Sequence, residues 1–131
     1  MKKLFAVTTL FFGIFLLASS ASAQRATRIT FRHGATSAIV SGTLNGYRGR
    51  RNFVIRVRRG QTLRTEQFGD RHDITIFIQG PHGEDVDDSD ASCNNRREVT
   101  PTVAGDYKIQ VVECQKADPW RGTFRFKVTV R

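Results

Sequence analysis

Phe124-Arg125-Phe126-Lys127-Val128-Thr129-Val130-Arg131 decides the fold. Apolar residues take every second position, so an extended backbone puts Phe124, Phe126, Val128 and Val130 on one face. Arg125, Lys127, Thr129 and Arg131 fall on the other, giving one dry and one wet side. The same period recurs upstream. Phe53, Ile55 and Val57 alternate with Val54, Arg56 and Arg58, and Ile74, Ile76 and Ile78 alternate with Thr75, Phe77 and Gln79. Tyr107, Ile109 and Val111 repeat it, as do Ala38, Val40, Gly42 and Leu44. Ile29 with Phe31, and Leu63 with Thr65, complete the expected set. No window shows convincing helical spacing. Turn chemistry separates the runs: Asn45-Gly46, Arg59-Gly60, Gly69-Asp70, Gly80-Pro81, Ala104-Gly105-Asp106 and Asp118-Pro119. Short alternating strands at this spacing predict an all-β protein, an antiparallel β-sandwich of seven to eight strands. Without repeats, low-complexity tracts or linkers, residues 24–131 are expected to form a single β-sandwich domain.

The start of the chain reads differently. Lys2 and Lys3 precede an almost unbroken apolar run from Leu4 to Ala18, and Ala21-Ser22-Ala23 supplies the small residues a signal peptidase needs. Residues 1–23 are therefore expected to be a signal peptide cleaved after Ala23, before Gln24. The run is too short and wrongly flanked for a stable membrane span, and no later segment could insert in a bilayer. A periplasmic protein is expected.

Loss of Lys2 and Lys3 with the leader would take the net charge from +9 to +7. Such an excess favours anionic partners. Cys93 and Cys114 make an even pair in an exported chain, which predicts a disulfide worth about 3 kcal/mol. A metal or catalytic role for them lacks both a C-x-x-C spacing and a nearby histidine.

Catalysis finds no support. Of His33, His72 and His82, only His72 lies between carboxylates, Asp70 and Asp73, and no activated nucleophile accompanies it. Glu84, Asp85, Asp87, Asp88 and Asp90 hold five of the twelve acids and could present oxygen ligands to Ca²⁺. Asp85, Asp87, Asp88 and Asp90 are the weak candidates for metal. An EF-hand loop starting at Asp85 would need Gly at position 90 and Glu at position 96, where Asp90 and Arg96 stand. A solvated acidic loop is the better reading, and no cofactor is expected. Arg48, Arg50, Arg51, Arg56, Arg58, Arg59 and Arg64 form a basic cluster in which Arg56 and Arg58 would share a strand face. Nucleic acid is disfavoured by export and by the lack of an RNP-like aromatic motif. An anionic envelope glycan or lipid held through Arg56 and Arg58 is the alternative function.

Ser41-Gly42-Thr43-Leu44-Asn45-Gly46-Tyr47 is the most informative segment. It runs off a strand into an Asn-Gly turn of hairpin type and then presents a tyrosine, a rigid contact with a polar tip. With this segment in view the chain resembles the periplasmic inhibitors of g-type (goose-type) lysozyme. The likeness runs through Phe31-Arg32-His33-Gly34, Ser37-Ala38, Ser41-Gly42 with Gly46-Tyr47, Gly60-Gln61, Asp88-Ser89, Ala104-Gly105-Asp106-Tyr107 and the closing strand. More broadly it is similar to the bacterial pre-peptidase C-terminal domain, a β-sandwich with a comparable Gly-x-Tyr strand. The resemblance implies a non-enzymatic protein that plugs the cleft of a g-type lysozyme and so protects peptidoglycan. It further implies lysozyme contacts through Ser41, Gly42 and Tyr47, assisted by Lys116 and Arg121 from the stretch before the last strand. Gln115, Asp118 and Pro119 depart from the more arginine-rich family pattern there, and the cysteine pair is no part of the family motif.

Overall fold

A computed structural model describes residues 25–69, 72–86, 93–115 and 118–131. The expected signal segment, Lys116, and Asp87, Asp88 and Asp90 of the acidic loop lie outside the described residues. Eight strands are present: β1 Thr27–Arg28, β2 Ser37–Asn45, β3 Arg50–Val57, β4 Leu63–Gln67, β5 Ile74–Gln79, β6 Arg96–Val99, β7 Gly105–Glu113 and β8 Arg121–Val130. They form two sheets of four, ordered β1-β3-β7-β5 and β2-β8-β4-β6. All pairs are antiparallel except β1 with β3. The expected all-β sandwich is observed.

The alternating residues meet between the sheets. Phe124, Phe126, Val128 and Val130 of β8 are buried, and they face Phe53, Ile55 and Val57 together with Tyr107, Ile109 and Val111. Phe53 sits edge-on to Phe124 and Phe126, at centroid distances of 6.3 and 5.6 Å, and the latter two rings stack at 6.1 Å. Each buried side chain of this size contributes roughly 1.5–3 kcal/mol, so the aromatic trio is the centre of the core.

Two expectations are corrected. The N-terminal strand is only the pair Thr27–Arg28; Ile29 and Phe31 pack on the core from the chain that follows it. β6 escapes the alternation rule because its inward positions are Arg97 and Val99, and a buried arginine breaks the apolar pattern. Arg97 is tolerated there because its Nε–H donates to the Ile76 carbonyl at 2.8 Å, a partner that a buried charged group requires.

Candidate functional site

β2 belongs to one sheet and β3 to the other, so the Asn45-Gly46 turn is a corner between sheets rather than the hairpin suggested by its sequence. Gly46 makes the corner. It holds φ at +76°, which favours glycine, and its N–H donates to the Trp120 carbonyl at 3.1 Å. The Gly46 carbonyl accepts the Gly49 N–H at 2.9 Å, closing the turn. A side chain on Gly49 would come within 2.8 Å of the Asn45 nitrogen, so the loop closes only because none is there. Between these glycines Tyr47 stands 47 % exposed, and Arg48 beside it is also exposed.

The turn rests on the stretch leading into β8. Asn45 pairs with Arg121, and an added carbon on Gly46 would lie 3.7 Å from Pro119 and 4.0 Å from the Arg121 guanidinium. The Arg121 Nε therefore lies close to Gly46, the residue before Tyr47. Trp120 lies over Gly122, where a side chain would meet the indole at 2.8 Å. Beneath it the Glu113 carboxylate, only 1 % exposed, accepts the Trp120 N–H at 2.7 Å. The next residue, Cys114, is bonded to Cys93 with a Cα–Cα distance of 4.7 Å, and its N–H donates to the Asp73 carbonyl at 2.8 Å. The expected disulfide is thus present, at the base of this same end.

Not every expected residue reaches the tip. Ser41 lies on the exposed side of β2, paired with Arg125, four residues and about 13 Å back from Asn45. Gly42 faces inward: a side chain there would strike the Phe124 ring at 2.6 Å, so its role in the fold is to admit that ring. Arg51, on β3 of the other sheet, donates its Nε–H to the Thr43 carbonyl at 2.9 Å. Sequence reasoning does not bring Arg48, Trp120 and Glu113 to this rim. The available signal is Glu113 itself, an acid continuing the inward parity of Tyr107, Ile109 and Val111.

The alternative basic face is arranged differently from the expected stripe. Arg28 binds Asp106 through both terminal nitrogens at 3.3 and 3.0 Å, and Arg56 approaches the same carboxylate at 3.7 Å. The hydrogen bond from Arg28 holds the Asp106 carboxyl below its ordinary value; partial desolvation opposes this, while the charges of Arg28 and Arg56 reinforce it. Arg58 lies one residue past the end of β3. On the other sheet, Arg64 and Arg96 share Glu66. Exposed His72 meets Asn95 at 3.1 Å. Asp85 is exposed beside Gln79, and among the described residues no group of three His, Cys, Asp or Glu side chains is placed to hold a metal. No helix among the described residues is long and apolar enough to cross a membrane.

Three solved structures are similar to this chain along most of its length. The inhibitor of g-type lysozyme from Aeromonas hydrophila superposes with a TM-score of 0.62 at 17% identity, covering 81% of this chain and 96% of its own. The shared architecture is that of the periplasmic g-type lysozyme inhibitors. Their Salmonella Typhimurium member gives a TM-score of 0.59 at 18% identity, over 82% of this chain and 98% of that one. A mutant of the Escherichia coli inhibitor gives 0.59 at 17% identity, over 81% and 97%. No family model and no curated sequence matches the chain. Identity this low carries the fold.

Proposed function

We propose that the protein is an exported, non-enzymatic inhibitor of g-type lysozyme whose Tyr47 corner enters the muramidase cleft. One observation carries the reading: a half-exposed tyrosine follows Gly46, and that glycine packs within about 4 Å of the Arg121 Nε, at one end of a sandwich with the inhibitors' architecture. A glycosidase cleft carries acidic residues, to which phenol and guanidinium groups donate charge-assisted hydrogen bonds. Occupying the sugar subsites then blocks turnover. Exposed Arg48 and Arg50 crowd the same end and match an acidic groove. Lys116 adds a further cation, Ser41 contacts the lysozyme from the flank of β2, and Gly42 keeps that strand seated over Phe124. The leader directs the chain to the periplasm, where residues 24–131 act as one domain.

The test is stoichiometric inhibition of a g-type lysozyme by the folded, oxidised protein. Tyr47→Ala is expected to weaken inhibition about 30-fold, the effect of losing a central aromatic contact. Its stability should stay within about 0.5 kcal/mol of the parent. Equal inhibition by parent and variant would reject the site. Absence of inhibition by the parent, against a panel of g-type enzymes, would reject the function.

A further inference from the structure

The outer face of the β1-β3-β7-β5 sheet carries a second feature. Strand register puts Asn52, Gln110 and Phe77 in one row across β3, β7 and β5, and Val54, Lys108 and Gln79 in the next. The strands are about 4.8 Å apart and the rows two residues apart, so the six side chains tile a floor of roughly 10 by 7 Å. A depression of about 670 Å³ opens above it. Asn52, Val54, Phe77, Gln79 and Gln110 are all half-buried although they point outward, whereas Lys108, Ala26 and Asp85 around them are exposed. The face is a shallow trough with raised rims.

Its chemistry is mostly neutral. Apart from Lys108 and Asp85, the lining is amide, aromatic or aliphatic. The outer face of the other sheet is the opposite, with Arg64, Arg96, Arg125 and Lys127 against Glu66 and Glu98. In a chain with a net charge of +9, an anion has no reason to choose the neutral trough. The Gln110 Nε2–H donates to Asn52 Oδ1 at 3.1 Å, which fixes both amides before any ligand arrives. That bond leaves an amide donor on Asn52 and an acceptor on Gln110 facing the trough. Arg97 lies over one face of the Phe77 ring, with its guanidinium carbon 6.0 Å from the centroid, and the ring offers its other face to a ligand. A flat apolar ring beside fixed amides, with an ammonium rising from the floor and a carboxylate at the edge, matches a pyranose: C–H groups on the ring plane and hydroxyl or acetamido groups around its edge.

We propose that this trough binds an uncharged glycan, with Phe77 stacking on a sugar ring and Asn52, Gln110 and Gln79 hydrogen-bonding its substituents. The trough faces sideways from the sheet while the Tyr47 corner projects from the strand ends, so the two sites can be filled together. An inhibitor so built would be held along the glycan that it protects.

The experiment is titration of the isotope-labelled mature protein with tetra-N-acetylchitotetraose and, separately, cellotetraose, followed by NMR. Shift changes confined to Asn52, Phe77, Gln79, Lys108 and Gln110, and unmoved by salt up to about 0.5 M, are expected. Response to the N-acetylated chain alone would make the acetamido group the recognised feature. Response to both sugars would make it the pyranose ring that they share. Phe77→Ala should weaken binding about tenfold, and Asn52→Ala, which leaves the Arg97 contact intact, should weaken it severalfold. No response to either sugar, shifts centred on Arg125 and Lys127, or unchanged affinity in both variants would overturn the proposal. None of these residues belongs to the Tyr47 corner, so the result is independent of the lysozyme assay.

Discussion

The chain has two tyrosines, one at each end of the sandwich, and they are used in opposite ways. Tyr107 is 2 % exposed and its hydroxyl accepts the Val103 N–H at 3.1 Å. Around it, Thr102 ties the Arg58–Gln61 turn from three directions: its N–H reaches the Gln61 carbonyl, its carbonyl takes the Gly60 N–H, and its hydroxyl bonds both the Arg58 carbonyl and the Gln61 N–H. Thr62 and Arg131 exchange a further backbone pair. Tyr47, at the other end, is 47 % exposed on a turn anchored through the Trp120 carbonyl, the buried Glu113 carboxylate and the disulfide. One end buries its tyrosine beneath a closed set of hydrogen bonds, and the other leaves its tyrosine half exposed over a cross-linked base. That is the division expected of a scaffold and a contact surface.

The largest effect should separate the two tyrosines. Tyr107→Ala is expected to cost about 4 kcal/mol in urea unfolding, because it leaves a cavity and an unpaired Val103 N–H. Tyr47→Ala should barely move the midpoint; similar losses for both would break the comparison. Next, replacing Cys93 and Cys114 together by serine should cost about 3 kcal/mol. Because the cross-link sits at the Tyr47 end, hydrogen exchange should rise at Trp120 and Gly46 well before Gly60 and Thr102; a uniform rise would show that the two ends are not separately held.

Gly42→Ala is expected to cost roughly 1–3 kcal/mol, since the methyl group overlaps the Phe124 ring. Calorimetry beside a lysozyme assay sharpens the point: lost stability with retained inhibition would make Gly42 purely a packing residue. The smallest effect concerns Asp106, on the far-end side of the molecule. Its folded pKa lies below the ordinary 3.8, so the unfolded chain takes up the proton first as pH falls. The contribution is complete above that ordinary value and fades as pH drops through the lowered one. Asp106→Asn should flatten this part of the acid-unfolding curve while leaving the stability difference constant near neutrality.

Much of this architecture is legible in the amino-acid sequence, and the reasons are local. Alternation of side chains in β8, β3, β5 and β7 reports directly on which face is dry, and the even Cys pair reports on the disulfide. β6 is illegible because burial of Arg97 depends on the Ile76 carbonyl, a partner some twenty residues away. The Asn45-Gly46 turn is legible as a turn but not as an inter-sheet corner, since dipeptide chemistry sets the local φ and not the partners of the flanking strands. Tyr47 and Arg121 can be named as candidates from the family likeness. The Trp120–Glu113 support cannot, because a lone inward acid gains its meaning only from the N–H it meets.

Strand order has a consequence for how the molecule comes into being. β7 and β8, made after the other six strands, occupy interior positions and join β3 to β5 and β2 to β4. Until β8 has emerged, β2 has no neighbour in its sheet and the rings of Phe124 and Phe126 are missing from the centre. A nascent chain of this design stays slack until that strand is complete, and both sheets then close around the same pair of rings.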